Sequence, residues 1–144
     1  GVKIGFFLQF GYLGENLRDI EATIRLVLEL MPDELGISVS YPLPGTKFYE
    51  NVKSHLSEKK NWADSDDLAM MFKNTFNQEY YRQLHRYVHS LHRKKKGYNN
   101  LKKIVSDPFS LRFRDLRSGF SAFYYLPVAL SQKVRLKHLA TAQQ

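Results

Sequence analysis

An α/β fold, in which a parallel strand–helix–strand unit is followed by a mainly helical C-terminal region, is the class this sequence predicts. Three observations carry it: an apolar run over Val2–Phe10, helical spacing of apolar residues from Glu15 to Met31, and alternation over Leu35–Tyr41 that stops at Pro42.

The run VKIGFFLQF from Val2 to Phe10 is almost continuously apolar, as expected of a strand buried on both faces of a parallel sheet. Gly11, Tyr12, Leu13 and Gly14 break it. Leu17, Ile20, Ile24, Val27, Leu28 and Met31 then recur at the helical period, with Glu15 and Asp19 in the first turn where carboxylates suit the helix dipole, and Pro32 ends the helix. Leu35, Ile37 and Val39 alternate with Gly36, Ser38 and Ser40, which predicts a second strand running to Tyr41. Pro42 and Pro44 remove two backbone donors and fix φ, so the strand stops there. Gly45 permits a tight bend and Thr46 caps a helix through Phe48, Tyr49 and Val52. A crossover of this length makes a right-handed, parallel βαβ unit.

The remainder reads as helical. Asp64 or Ser65 caps a short helix through Leu68, Met71 and Phe72, and Asn77 caps a longer one to about His92. Tyr80, Leu84, Tyr87, Val88 and Leu91 form its expected buried stripe. Lys94, Lys95, Lys96 and Gly97 mark a boundary, Leu101–Val105 forms another helix ended by Asp107 and Pro108, and Ser110–Leu139 reads as a helix kinked at Pro127.

Composition is that of a globular chain, at 43% hydrophobic and 25% charged residues. No apolar run approaches the ~18 residues of a membrane span, and no secretory signal is present, so a cytoplasmic location is expected. The chain has no cysteine, which excludes disulfides and thiolate metal sites within it. Its net charge of +8 is uneven: residues 1–79 carry 8 Lys+Arg against 12 Asp+Glu, whereas residues 80–144 carry 14 against 2. A basic C-terminal half suits an anionic surface or substrate, although solvated basic helix faces give the same asymmetry.

Several stretches carry a family resemblance. GFFLQFGYLGENLRDIEATI resembles the strand, G-x-P-G-E loop and helix of the radical S-adenosylmethionine (SAM) superfamily, and PDELGISVSYPLPGTKFY resembles its next strand and P-x-P-G-T loop. With NWADSDDLAMMF and YYRQLHRYVH they are similar to the cobalamin-binding branch, especially enzymes like the anaerobic magnesium-protoporphyrin IX monomethyl ester oxidative cyclase. The resemblance spans roughly residues 2–92 and departs from the family in two places. Leu13 replaces the loop proline, and the C-x-x-x-C-x-x-C motif that holds a 4Fe-4S cluster is missing.

The resemblance implies a partial (β/α) barrel, because a complete one needs ~250 residues and this chain has 144. Residues 1–60 would be the C-terminal part of the barrel and 61–144 a helical extension. The expected partner is an upstream, cluster-bearing half of the parent protein. The parent's cofactors would be SAM, a 4Fe-4S cluster and cobalamin, its substrate a small molecule such as a tetrapyrrole, and this chain alone would be catalytically inert.

Candidate binding residues lie at the strand ends. Gln9, Gly11 and Glu15 fall at the C-terminal end of the first strand, the face on which barrel enzymes place their sites. Ser38 and Ser40 share a strand face opposite Ile37 and Val39, and Tyr41 follows them. The resemblance gives Gln9, Gly11, Ser38, Ser40 and Tyr41 a SAM-facing role, whereas turn geometry alone accounts for Pro44 and Thr46. No catalytic residue is assigned.

His85, His89 and His92 have helical metal-ligand spacing, but Arg82, Arg86 and Arg93 oppose a cation and no metal is assigned. Phe113, Phe120, Phe123, Tyr124 and Tyr125 interleave with Arg112, Arg114 and Arg117. That pattern leaves open a tetrapyrrole pocket and, as the alternative function, a basic α/β module for nucleic acid or an anionic membrane surface. Unpaired strand edges also predict self-association of the isolated chain.

Overall fold

A computed structural model describes residues 2–56, 72, 74–106 and 113–142, with side chains at 55 and 113–116 left aside. Strands β1 (Gly5–Phe10) and β2 (Glu34–Val39) pair in parallel, in a register running from Gly5 opposite Glu34 to Phe10 opposite Val39. Helix α1 (Leu17–Leu30) connects them, so the expected βαβ unit is present. Helix α2 (Lys47–Val52) and a single 3-10 turn, Lys53–His55, follow. Two long helices, α3 (Gln78–Ser106) and α4 (Phe113–Thr141), complete the described chain.

Local chemistry explains the element ends. Asn16 Oδ1 accepts from the Arg18 and Asp19 amides at 2.8 and 3.4 Å, and Asp19 Oδ2 accepts from the Asn16 amide at 3.0 Å. This reciprocal box satisfies donors that a helix start otherwise leaves unpaired. Met31 closes α1 in the left-handed conformation at φ 48°, donating to the Val27 carbonyl at 2.9 Å. Thr46 Oγ1 accepts from the Tyr49 amide at 3.1 Å, as a helix cap should, and starts α2.

The inward face of the sheet packs on helices. Phe10, Ile37 and Val39 join Ile20 of α1, Tyr80, Tyr81, Leu84, Val88 and Leu91 of α3, and Ala129, Leu136 and Ala140 of α4 in one core. That core therefore draws on residues from both the N-terminal and the C-terminal halves of the chain. The whole expected stripe of Tyr80, Leu84, Tyr87, Val88 and Leu91 is buried.

Five sequence expectations are revised. The first strand spans Gly5–Phe10 and is not buried on both faces: residues 5, 7 and 9 are exposed, Phe7 at 70%. Apolarity alone therefore overstated the burial of β1. Glu15 lies outside α1, whose start is capped by Asn16 and Asp19.

No boundary occurs at Lys94–Gly97, and Leu101–Val105 belongs to the same α3 helix. Gly97 is a packing glycine: a Cβ there would lie 2.8 Å from both the Ala122 nitrogen and the Ser118 carbonyl oxygen on α4. Phe72 forms an antiparallel bridge with Leu56 rather than closing a helix, and the rest of the helix expected from Asp64 or Ser65 falls outside the described residues, as do Asp107 and Pro108. Helix α4 continues through Pro127.

Candidate binding site at the C-terminal edge of the sheet

Parallel strands end on one edge, and the loops that follow β1 and β2 meet there. Gln9 pairs with Ser38 across the ladder, and the Ser40 amide donates to the Phe10 carbonyl at 2.7 Å. Strand alternation consequently sets Gln9, Ser38 and Ser40 on the face opposite the core. Gln9 is exposed, Ser38 and Ser40 are buried, and Tyr41 is 38% exposed beside the buried Pro42. Ser38 Oγ is buried yet forms no hydrogen bond among the described residues.

Gly11 begins the first loop at φ 77°, a conformation open mainly to glycine. Its amide donates to Glu15 Oε2 at 2.8 Å, its carbonyl accepts from the Asn74 side-chain amide, and the Tyr81 hydroxyl reaches the same Glu15 oxygen at 3.4 Å. The loop is thus held from three directions. Tyr12 stacks on Phe48 with ring centroids 4.7 Å apart, and Phe48 meets Phe72 edge-on at 5.5 Å, tying the loop after β1 to α2.

Burial pushes the Glu15 carboxyl above its ordinary range, against the pull of the Gly11 amide and the Tyr81 hydroxyl. Burial and the Glu15 charge raise the Tyr81 phenol as well, so that it remains a donor. At this edge the chain offers fixed backbone groups, two serine hydroxyls and one partly buried carboxyl. Such a set can orient a polar ligand.

The structure sets Gln9 opposite Ser38, with Ser40 two residues on, whereas Gly11 turns toward Val39, Asn74 and Tyr81 and Tyr41 is partly exposed. Sequence reasoning missed Asn74 and Tyr81, which reach the loop across 63 and 66 residues. Tyr81 carries only a faint signal, as a phenol beside the apolar stripe, and Asn74 carries none.

The histidines disperse by function. His85 and His89 have ring centroids 4.5 Å apart, whereas His92 is buried and its Nε2 lies 2.8 Å from the Pro32 carbonyl oxygen. His92 thereby pins α3 to the junction between α1 and β2. Burial, then the neighbouring His85 and Arg93, lower the His89 imidazole to about 4.

Nothing in the chain fits an iron–sulfur cluster, because cysteine is absent from the sequence. The Ser38 hydroxyl is a buried polar group on the face opposite the core, without a protein hydrogen bond among the described residues. Comparison with known proteins found no matching family model, no matching curated protein and no matching solved structure.

Proposed function

We propose that this chain is the C-terminal part of a radical SAM enzyme of the cobalamin-binding branch, similar to the anaerobic magnesium-protoporphyrin IX monomethyl ester oxidative cyclase. In this reading β1, α1 and β2 are a segment of a cytoplasmic (β/α) barrel. The observation that carries the reading is the two-sided character of the sheet: helices cover its apolar face, while Gln9, Ser38 and Ser40 occupy the other and gather at the strands' C-terminal edge. A barrel wall likewise carries its helices outside and its ligand-binding groups at the C-terminal ends of its strands.

Gln9, the Gly11 loop, Ser38, Ser40 and Tyr41 would hold SAM and shape one wall of the substrate pocket. Bound SAM, with a reduced cluster carried by the upstream half, supplies the one-electron chemistry that begins oxidation or alkylation of a substrate such as a tetrapyrrole. Glu15 positions the loop by accepting the Gly11 amide, and Tyr81 orients Glu15. The isolated chain, lacking thiolates, is catalytically inert.

The parent protein should bind a 4Fe-4S cluster and cleave SAM under reducing conditions, and its upstream reading frame should contain C-x-x-x-C-x-x-C. Purified parent protein that did neither would overturn the assignment.

A second reading rests on the exposed aromatics of α4. Phe120, Phe123 and Tyr124 stand in solvent in the basic half of the chain, which suits a nucleic-acid or anionic membrane surface. Steeply salt-dependent binding to either would favour it, and no binding at low salt would remove it.

A further inference from the structure

A cleft of about 590 Å³ opens at the other end of the molecule, between the end of α1, the middle of α3 and α4. Leu28, Leu91, Leu101, Phe123 and Leu126 form its apolar walls, and Lys94, Lys95 and Tyr98 supply its polar groups. Among the described residues no acidic side chain lines it. From Leu91 to Leu101 it follows α3 for about 15 Å at the helical rise. Its size and mainly apolar lining are those of a small-molecule site.

The four consecutive cations of α3 divide in an informative way. Arg93 donates to the Tyr125 hydroxyl at 2.8 Å, and Lys96 donates to the Asp33 carbonyl at 3.3 Å. Lys94 and Lys95 are instead half-buried in the wall of the cleft and form neither a hydrogen bond nor an ion pair among the described residues. Lysine stems packed along an apolar trough, with their charges unpaired among the described residues, favour an anion joined to a hydrocarbon chain. An elongated trough admits one extended chain.

We propose that this cleft binds a single-chain amphipathic carboxylate, such as a medium-chain fatty acid, with the chain along Leu91, Leu101, Phe123 and Leu126 and the carboxylate at Lys94 and Lys95. The site is separate from the strand edge assigned to SAM: Lys96 ties its flank to Asp33, which precedes β2, whereas the SAM-facing residues lie where the strands end. Its ligand is independent of whether the radical SAM reading holds.

Titration calorimetry of the 144-residue chain with laurate, below the concentration at which laurate forms micelles, tests the proposal. Laurate should bind at one site, and methyl laurate, which lacks the charge, should bind roughly tenfold more weakly. The double variant Lys94→Gln/Lys95→Gln should weaken laurate by a similar factor and leave methyl laurate unchanged. Phe123→Ser, at a position 66% exposed and outside the buried core, should weaken both.

No laurate binding, equal affinity for acid and ester, or indifference to the lysine changes would overturn it. A dimer that Phe123→Ser dissociates, with no laurate binding, would assign the cleft to a second copy of the chain and overturn it too.

Discussion

Gly11 and Gly14 both adopt left-handed backbone, at φ 77° and 82°, yet their surroundings differ. A Cβ at Gly11 would come within 2.8 Å of Val39 Cγ1, whereas none at Gly14 would meet an atom within 4 Å. Gly11→Ala should therefore lose roughly 3 kcal/mol, from strain and overpacking together, and Gly14→Ala about 1 kcal/mol from strain alone. Urea unfolding of both variants measures the difference, and equal losses would refute the packing role given to Gly11.

Two titrating side chains at this scale act with opposite sign. The Glu15 carboxyl is raised from 4.5 by burial, so the folded chain holds its proton longer than the unfolded one, and stability falls as pH rises from 4.5 through the raised value. His89 is lowered from 6.5 to about 4, so the folded chain binds its proton less readily, and stability falls as pH drops from 6.5 to about 4. In unfolding midpoints followed across pH 4–7, Glu15→Gln should remove the first slope and His89→Gln the second. Gln at 15 still offers an acceptor to Gly11, so loss of the loop would not confuse the reading.

At the scale of elements, helix α3 shows why a sequence boundary can mislead. Lys94–Gly97 combines a charge cluster with a helix-breaking residue, and both signals were local. The glycine is used instead for the approach of α4, whose backbone at Ser118 and Ala122 occupies the space a side chain would need. Gly97→Leu should cost about 3 kcal/mol by forcing the helices apart, against roughly 1 kcal/mol gained from helix propensity. A thermal melt no lower than that of the parent chain would refute this account.

The α1 cap follows the opposite pattern, being wholly local. Asn16→Ala should cost about 1 kcal/mol, read as a fall in denaturation midpoint. Asn16 three residues before Asp19 is a readable start signal, but the helix-dipole reading of Glu15 obscured it. Thr46 and the Pro32 stop were legible because caps and prolines act within one turn.

Across the whole molecule, a two-stranded parallel sheet is covered on one face by helices and presents exposed Phe7 and Gln9 on the other. Two strands alone make a marginal sheet, and an uncovered edge pairs readily with another strand. The isolated chain should therefore self-associate, its sedimentation coefficient rising with concentration; a strictly monomeric species would refute edge pairing. Joined to the proposed upstream half, the same chain should lose that tendency. Among the described residues no helix is long and apolar enough to cross a membrane.

Sequence by itself determined the parallel βαβ unit, the Thr46 cap and the buried stripe of α3, because periodicity and capping chemistry act over a few neighbouring residues; β2 ends at Val39, short of the Tyr41 expected before Pro42. Alternation also put Ser38 and Ser40 on one strand face, while the pairing of Gln9 with Ser38 became visible only in the ladder. Tertiary structure alone decided that β1 keeps an open face, that Gly97 lies inside one long helix, and that Asn74, Tyr81 and Glu15 lock the Gly11 loop. Those outcomes depend on contacts spanning tens of residues, where the choice belongs to whichever surface packs best and no local period records it.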